Sequence, residues 1–461
     1  LMGTLETSFT LMVLYTVPFI AYQTIMYWRS LSLEGLLRAS LIEKPITDPL
    51  VTVLIPTKGE RIETVVELVR LLESSRYANS FEIVVVSDDD EGYFNELKRE
   101  LSGFSTNVKV YRREVRRGFK ACALQYGFER SNGDYVVALD VDARLNPDEI
   151  VEAIRFMEER KCDAVTLRWV GYVPHPTMTG QGIAATTSLV SRSLFIGRAG
   201  KDFAQFPVGS GTIFRASSLR KVGGWDCSVI QDDLDVGARM ISEGMRICAT
   251  NYNIMVEVPS TLRAFVIQQS RWSYGTAETL RRNLRRILSS KRINSLKKLD
   301  AVWYLLQYTP IWILMLAMIV LAVSTWTPAA FGAPLWLFFT WLGSLSIYGY
   351  LVSKELRGLF EISPIRTVRV LGRISALSAG ISPYIFYGFL RGLTGMGTYK
   401  VTPKGSGGRQ SYLPVPTLIL AGLFLASSLK ALITGDYTSS LWLFYYGLAY
   451  VYTVYVGVTE G

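Results

Sequence analysis

Five stretches of the chain are apolar over about the length a helix needs to cross a bilayer: 9–28, 301–324, 334–353, 413–433 and 441–459. A hydrocarbon core about 30 Å thick takes roughly 20 residues of helix. Between the first and second stretches the pattern changes to short β-branched runs alternating with helical ones. Strands are predicted at 51–55, 81–86, 108–111, 135–139 and 164–169, and helices near 60–74, 90–101, 119–131 and 147–160. The last helix opens on Asn146-Pro147-Asp148-Glu149, a good start signal. Such alternation predicts an α/β unit with a mostly parallel sheet covered by helices. Ligands of these sheets bind beyond the carboxyl ends of the strands.

Loop charge sets the expected orientation of the apolar stretches. Segments 1–8, 325–333 and 434–440 contain no Lys or Arg, whereas 29–300 and 354–412 are rich in both. Both large polar regions are therefore expected on the cytoplasmic side. The first stretch has basic residues on one flank only, Arg29 and Arg38, and no small-residue cleavage site, so it reads as an anchor and not a signal peptide. Leu1-Met2 reads as a cloning remnant or an altered start. Residues 371–393 are apolar but contain Arg373 and are flanked by Arg366 and Arg369 on one side and Arg391, Lys400 and Lys404 on the other. Spanning would push one basic flank outward, so an amphipathic helix in the membrane interface is predicted. From Arg281 to Lys298 there are eight basic residues and no acid, interleaved with Leu280, Leu284, Ile287 and Leu288. That pattern is either a second surface helix, gaining about 1 kcal/mol per basic residue near anionic lipid, or a solvated basic helix.

The 461-residue chain holds 49 Lys and Arg against 39 Asp and Glu, a net charge of +10, with 49% hydrophobic residues. The basic residues cluster beside apolar stretches and no nucleic-acid motif accompanies them, so no nucleic-acid partner is expected. Cys122, Cys162, Cys227 and Cys248 show no CxxC spacing, and neither a zinc site nor a disulfide frame is indicated. His175 is the sole histidine, which removes imidazole triads and multi-histidine metal sites. Neither G-x-G-x-x-G nor G-x-x-x-x-G-K-[ST] occurs, so a dinucleotide dehydrogenase and a P-loop ATPase lose their signatures.

Acidic residues recur at chosen places. Asp88 closes one apolar run, Asp140-Val141-Asp142 closes another, and Asp232-Asp233 follow, ahead of Gln268, Arg271 and Trp272. Two like charges 4 Å apart cost roughly 4 kcal/mol at an effective dielectric near 20, so acids gathered on one rim need a cation or a proton between them. Asp140 and Asp142, at i and i+2, point the same way in extended backbone. They offer hard oxygens suited to Mg²⁺ or Mn²⁺, and Mg²⁺ commonly binds through one or two carboxylates plus substrate phosphates. A turn with two solvated acids is the plain alternative.

The run Val51-Thr52-Val53-Leu54-Ile55-Pro56-Thr57-Lys58-Gly59-Glu60 resembles the opening strand of family-2 glycosyltransferases. Ser87-Asp88-Asp89 resembles their nucleotide-binding turn, and Phe119-Lys120-Ala121 and the D-x-D follow in the family's order. Gly223-Gly224-Trp225-Asp226 precedes Gln231-Asp232-Asp233, and Gln268-Gln269-Ser270-Arg271-Trp272 fits Q-x-x-R-W. Tyr399-Lys400-Val401-Thr402-Pro403-Lys404 is similar to the gating loop of cellulose synthases, with Tyr in the usual Phe position. The resemblance covers 51–300 and 354–412 and points to the cellulose- and hyaluronan-synthase-like branch. It implies a glycosyltransferase-A-type, Rossmann-like domain joined to an α-helical transmembrane domain with interfacial helices. The implied boundaries are an N-terminal membrane helix (1–28), a connector (29–50), the catalytic domain (51–258), interfacial helices carrying Q-x-x-R-W (259–300), two membrane helices (301–353), an interfacial helix and gating loop (354–412) and two further membrane helices (413–461).

The same resemblance implies roles. Pro56, Thr57, Glu60, Asp88, Lys120, Asp140, Gln268, Arg271, Thr402 and Lys404 would bind the donor; Gly209, Ser210 and Trp272 would meet the acceptor; Asp140 and Asp142 would hold the metal. The branch usually reads Thr-Glu-Asp where this chain has Gln231-Asp232-Asp233, so Asp233 inherits the general base by position, with Asp232 and Asp235 as neighbours that leave the assignment open. One base, one metal and no evident enzyme nucleophile imply a single displacement with inversion. The expected activity is hexosyl transfer, mannosyl or glucosyl, from a UDP- or GDP-sugar to a lipid-linked glycan at the cytoplasmic membrane face, by a monomer. A processive β-glycan synthase that also translocates its product is the alternative enzyme, though five spans offer few helices for a polymer channel. A transporter or receptor is the alternative class; no acid lies inside the five stretches, and Lys430 sits near an end where it can snorkel.

Overall fold

The computed structural model describes residues 2–38, 50–104, 107–115, 117–396 and 411–460. Eight strands make one sheet in the order β3-β2-β1-β4-β7-β6-β8-β5. They are β1 (Val51–Thr57), β2 (Phe81–Ser87), β3 (Asn107–Arg112), β4 (Tyr135–Ala138), β5 (Arg144–Leu145), β6 (Ala164–Tyr172), β7 (Thr212–Arg215) and β8 (Ile247–Glu257). The first four pair in parallel, but β7 runs antiparallel to both β4 and β6, and β5 antiparallel to β8. β6 and β8 also pair in parallel, so the sheet is mostly parallel, as expected, with β5 and β7 as its antiparallel strands. β5 and β7 are two and four residues long, too short to leave a periodic signal.

Helices α1 (Met2–Leu33), α2 (Ile62–Glu73), α3 (Glu91–Leu101), α4 (Lys120–Phe128), α5 (Asp148–Arg160), α6 (Met178–Ser191), α7 (Ala216–Lys221) and α8 (Asp232–Ser242) alternate with the strands. β1 and β2 are buried almost throughout, as strands covered on both faces must be. α2 seats Val65, Leu68, Val69 and Leu72, an i, i+3, i+4, i+7 stripe, against them. α4 comes close enough that a side chain at Gly127 would run into Val86 and Leu54.

The rest of the chain is helical: α9 (Leu262–Ser289), α10 (Ser295–Leu305), α11 (Thr309–Ser324), α12 (Leu335–Leu359), α13 (Pro364–Gly380), α14 (Ser382–Thr394), α15 (Val415–Ile433) and α16 (Tyr437–Glu460). Among the described residues, four helical segments are long and apolar enough to cross a membrane: Gly3–Leu36, Leu335–Leu359, Val415–Ile433 and Tyr437–Glu460. A fifth arises only if α10 and α11, bent by 59°, count as one span. The expected continuous helix at 301–324 is therefore broken, because Pro310 begins α11 and cannot continue α10. A second apolar core joins these helices, with Phe9 of α1, Leu321 of α11, Trp341 of α12, Phe424 of α15 and Trp442 of α16.

Two expectations about interfacial helices change. Residues 371–393 form parts of two helices, α13 and α14, separated at Ile381 ahead of Pro383. The basic stretch 281–298 is not a helix of its own: its first part ends α9, which caps at Ser290, and its last part begins α10. α9 lies along α14 so tightly that side chains at Gly388 and Gly392 would strike the backbone at Ser270 and Tyr274.

The cysteines overturn the expectation that no disulfide frame exists. Cys122 is bonded to Cys227 and Cys162 to Cys248, 105 and 86 residues apart in sequence. The second bond staples the start of β6 to β8. Closing loops of this length stabilises a fold by about 2–5 kcal/mol. Replacing Cys162 and Cys248 together with serine should lower the thermal midpoint of the purified protein, and a midpoint unchanged between parent and variant would count against the bond.

Candidate active site

The loops that leave β1, β2 and β4 meet at one end of the sheet, where the strands terminate at Thr57, Ser87 and Ala138. Together with the segment before β7, the start of α8 and one face of α9 they enclose a cavity of about 180 Å³. Its lining includes Pro56, Thr57, Glu60, Asp88, Lys120, Asp140, Asp142, Gly209, Asp232, Asp233, Gln268, Arg271 and Trp272. Gln268, Arg271 and Trp272 reach it together because i, i+3 and i+4 share one helix face. Ser210 stands just behind: its hydroxyl accepts the Asp140 amide at 3.0 Å. Thr402 and Lys404 lie outside the described residues.

Each acid has a distinct partner. Asp88 is clasped by the Arg113 guanidinium, with Nε 2.6 Å and Nη2 2.5 Å from its two oxygens, and both side chains are buried. Asp89 shapes the loop opposite, accepting from the Gly59 amide at 2.6 Å and from the Ser87 hydroxyl at 3.0 Å. Lys120 Nζ stands 2.6 Å from Asp140 Oδ1 and donates to the Gly209 carbonyl at 2.6 Å. Asp142 is 8% exposed, and its carbonyl accepts the Tyr172 hydroxyl at 3.1 Å. Asp233 Oδ1 accepts from Gln231 Nε2 at 2.9 Å and from the Leu234 amide at 2.8 Å. Its Oδ2 faces Gly209, where an added Cβ would sit 3.4 Å away. Asp235 is paired instead with Arg239 at 2.8 Å and Asn283 at 2.9 Å and does not line the cavity.

Sequence reading alone missed Arg113, Trp169, Gln231 and Glu257. Arg113 directly follows β3, so the rule that strand ends carry the site could have found it. Trp169 closes the strand predicted at 164–169, although β6 runs on to Tyr172; it donates from Nε1 to the Ser210 carbonyl at 2.7 Å and sits 6.1 Å from the Trp272 ring. Trp169, Thr187, Gln231, Asp233 and Trp272 also border a second, larger cavity of about 1120 Å³ that extends among the apolar helices.

Comparison with known proteins shows the family. The family described as Glycosyl transferase family group 2 matches residues 135–354. A probable glycosyltransferase of Sulfolobus acidocaldarius is 35% identical over 462 residues, covering 96% of each chain. This chain belongs to the family-2 glycosyltransferases. Glucomannan 4-beta-mannosyltransferase 2 of Arabidopsis thaliana is 29% identical over 210 residues, which are 43% of this glycosyltransferase and 38% of the plant protein. The mannosyltransferase PcManGT from Pyrobaculum calidifontis, solved in complex with GDP-Man and Mn²⁺, superposes with a TM-score of 0.56 at 18% identity, over 84% of this chain and 99% of that one. The glycosyltransferase thus has the A-type α/β fold joined to apolar helices that fit membrane association.

Burial and mutual repulsion leave their mark on the acid pair of the glycosyltransferase. Asp232 is pushed up to about 7, first by burial and then by the charges of Asp233 and Asp140, against the pull of Lys120. Asp233 is also raised by burial, with Lys120, the Leu234 amide and Gln231 working the other way. Among the described residues no group of three or more His, Cys, Asp or Glu side chains could hold a metal unaided. Asp140 and Asp142 both line the cavity and would suit a hard divalent ion that takes its remaining ligands from a diphosphate and water.

A carboxyl held above its unfolded value favours the folded state fully at low pH and loses that advantage as pH rises through the folded value. With chelator present, the thermal midpoint should decline between about pH 4 and 7 partly through Asp232. Asp232→Asn should flatten that decline; parallel curves for parent and variant would refute the shift.

Proposed function

We propose that this enzyme transfers a mannosyl group from GDP-mannose, with inversion, to a lipid-linked glycan at the cytoplasmic membrane face. The single observation that carries the reading is the place of Asp233. It borders both the small polar cavity that contains Asp140 and Asp142 and the large apolar cavity among the helices. The choice of GDP-mannose is supported by the relatives, which include plant glucomannan mannosyltransferases and a fold neighbour solved with GDP-Man and Mn²⁺.

The chemistry follows from charge. Asp233 Oδ2 takes the proton of the acceptor hydroxyl, and its raised affinity makes it a better base than an exposed aspartate. The acceptor oxygen then bonds to the anomeric carbon while the bond to the diphosphate breaks on the opposite face, so an α-linked donor gives a β product. Arg271 can grip the departing diphosphate through two parallel hydrogen bonds, and Lys120 adds a positive charge at the same wall. Asp140 and Asp142 would hold Mg²⁺ or Mn²⁺, which when bound neutralises charge on the leaving group. Trp272 and Trp169 supply flat apolar faces for the acceptor sugar. Gly209 leaves room between Asp233 and Lys120 that a side chain would fill.

The basic loops support a cytoplasmic catalytic domain. Two disulfides are uncommon in a reducing cytosol but familiar in intracellular proteins of hyperthermophiles. Asp233→Asn should cut the turnover of mannosyl transfer by about 10²–10⁴-fold while GDP-mannose binding with Mn²⁺ stays within a factor of two or so. Transfer rates should also be compared across GDP-mannose, GDP-glucose and UDP-glucose. Full activity of Asp233→Asn would remove the base assignment, and preference for UDP-glucose would remove the donor.

A further inference from the structure

The large cavity has two different ends. At the catalytic end stand Asp233 and Trp272, with Gln231 and Gln269 on the same elements; Gln269 accepts the Tyr308 hydroxyl at 3.1 Å. Beyond them the walls are largely apolar, with Phe19 and Ile20 of α1, Leu314 of α11, Leu345 of α12 and Ala449 of α16, and Arg369, Ser375, Ser378, Tyr348 and Tyr452 interspersed among them. Arg373 reaches this wall with its charge already matched, its guanidinium 2.6 and 2.8 Å from the two oxygens of Glu460. At about 1120 Å³ the chamber exceeds the roughly 300–1,000 Å³ of ordinary small-molecule pockets.

A glycan would fit these walls badly. Every sugar unit carries several hydroxyls, and each one taken from water without a partner is penalised. A hydrocarbon chain has none to satisfy and gains with each methylene it buries. The chamber is also walled by helices long and apolar enough to cross a membrane, where a lipid's chain already lies.

We propose that this chamber binds the hydrocarbon chain of the acceptor lipid and thereby hangs the acceptor's sugar over Asp233, beside the rings of Trp169 and Trp272. The inference rests on the reading that the acceptor is lipid-linked and names the part of the protein that recognises the lipid. It makes the chain a determinant of specificity, independent of the donor pocket.

Gly349 of α12 and Gly372 of α13 line the chamber, and a Cβ at either would meet nothing within 4 Å. Gly349→Phe and Gly372→Phe therefore put a ring at the chamber wall from positions where its first carbon meets no neighbour. The full-length protein in nanodiscs would be photolabelled with a C20 isoprenoid diphosphate bearing a terminal diazirine, and labelled peptides mapped by mass spectrometry. Labels are expected on α12, α13 and α16, and each phenylalanine variant should lower labelling at least tenfold. With GDP-[14C]mannose and a total lipid extract, the same variants should lose at least tenfold in organic-extractable product while slow donor hydrolysis stays at the parent's rate. Labelling spread evenly over lipid-facing positions, or variants that keep the parent's lipid transfer, would overturn the proposal. So would a long water-soluble polymer whose length the variants shorten, since the chamber would then carry glycan. The labelling does not use the donor, so a wrong choice of nucleotide sugar leaves its result standing.

Discussion

The site depends on one ammonium group. Lys120 is the first residue of α4, where the positive end of the helix makes a basic side chain unfavourable by itself. Its position is explained by what surrounds it: Asp140 at 2.6 Å, the Gly209 carbonyl at 2.6 Å, and Asp232 and Asp233, whose pKa values it pulls down. Without a cation there, three buried or half-buried carboxylates would repel one another across a small cavity of low dielectric. The lysine keeps them ionisable within one pocket, so donor and acceptor chemistry can share a wall.

Several features hold that lysine in place. The Cys122–Cys227 bond ties the first turn of α4 to the segment ahead of α8, which carries Asp232 and Asp233. Gly118, at φ +70, passes beneath the Cys227 carbonyl, where any side chain would collide. Trp225 adds bulk between the same elements, its amide donating to Gln125 of α4 at 2.8 Å. These contacts join the helix that carries Lys120 to the segment that leads to Asp232 and Asp233.

The apolar helices are joined to this body by buried charge. Arg198, beside the π-turn that follows α6, pairs with Asp300 of α10 at 2.6 Å, and Tyr22 of α1 donates to the same aspartate at 2.8 Å. Glu355 of α12 takes Arg192 at 2.8 Å and the Tyr27 hydroxyl at 3.0 Å. Burying such pairs is costly, and removing one partner leaves the other charge stranded, so they specify how the parts fit more than they stabilise the fold. Here they fix the large chamber against the smaller cavity, which brings an apolar space up to Asp233.

Much of this was legible in the amino-acid order because it is written locally. Strand and helix periods, the apolar length of α12, α15 and α16, and acids stationed just after strands depend on neighbours a few residues apart. The resemblance of short motifs to a glycosyltransferase family rests on the same local order. What the sequence could not settle involves partners distant along the chain. The disulfides pair cysteines 105 and 86 residues apart with no spacing rule to join them. Arg113 over Asp88, Trp169 beside Trp272 and the reversed β7 each depend on which surfaces meet. The chamber is the clearest case: it exists only because the helices around it, far apart in the chain, fail to close on one another.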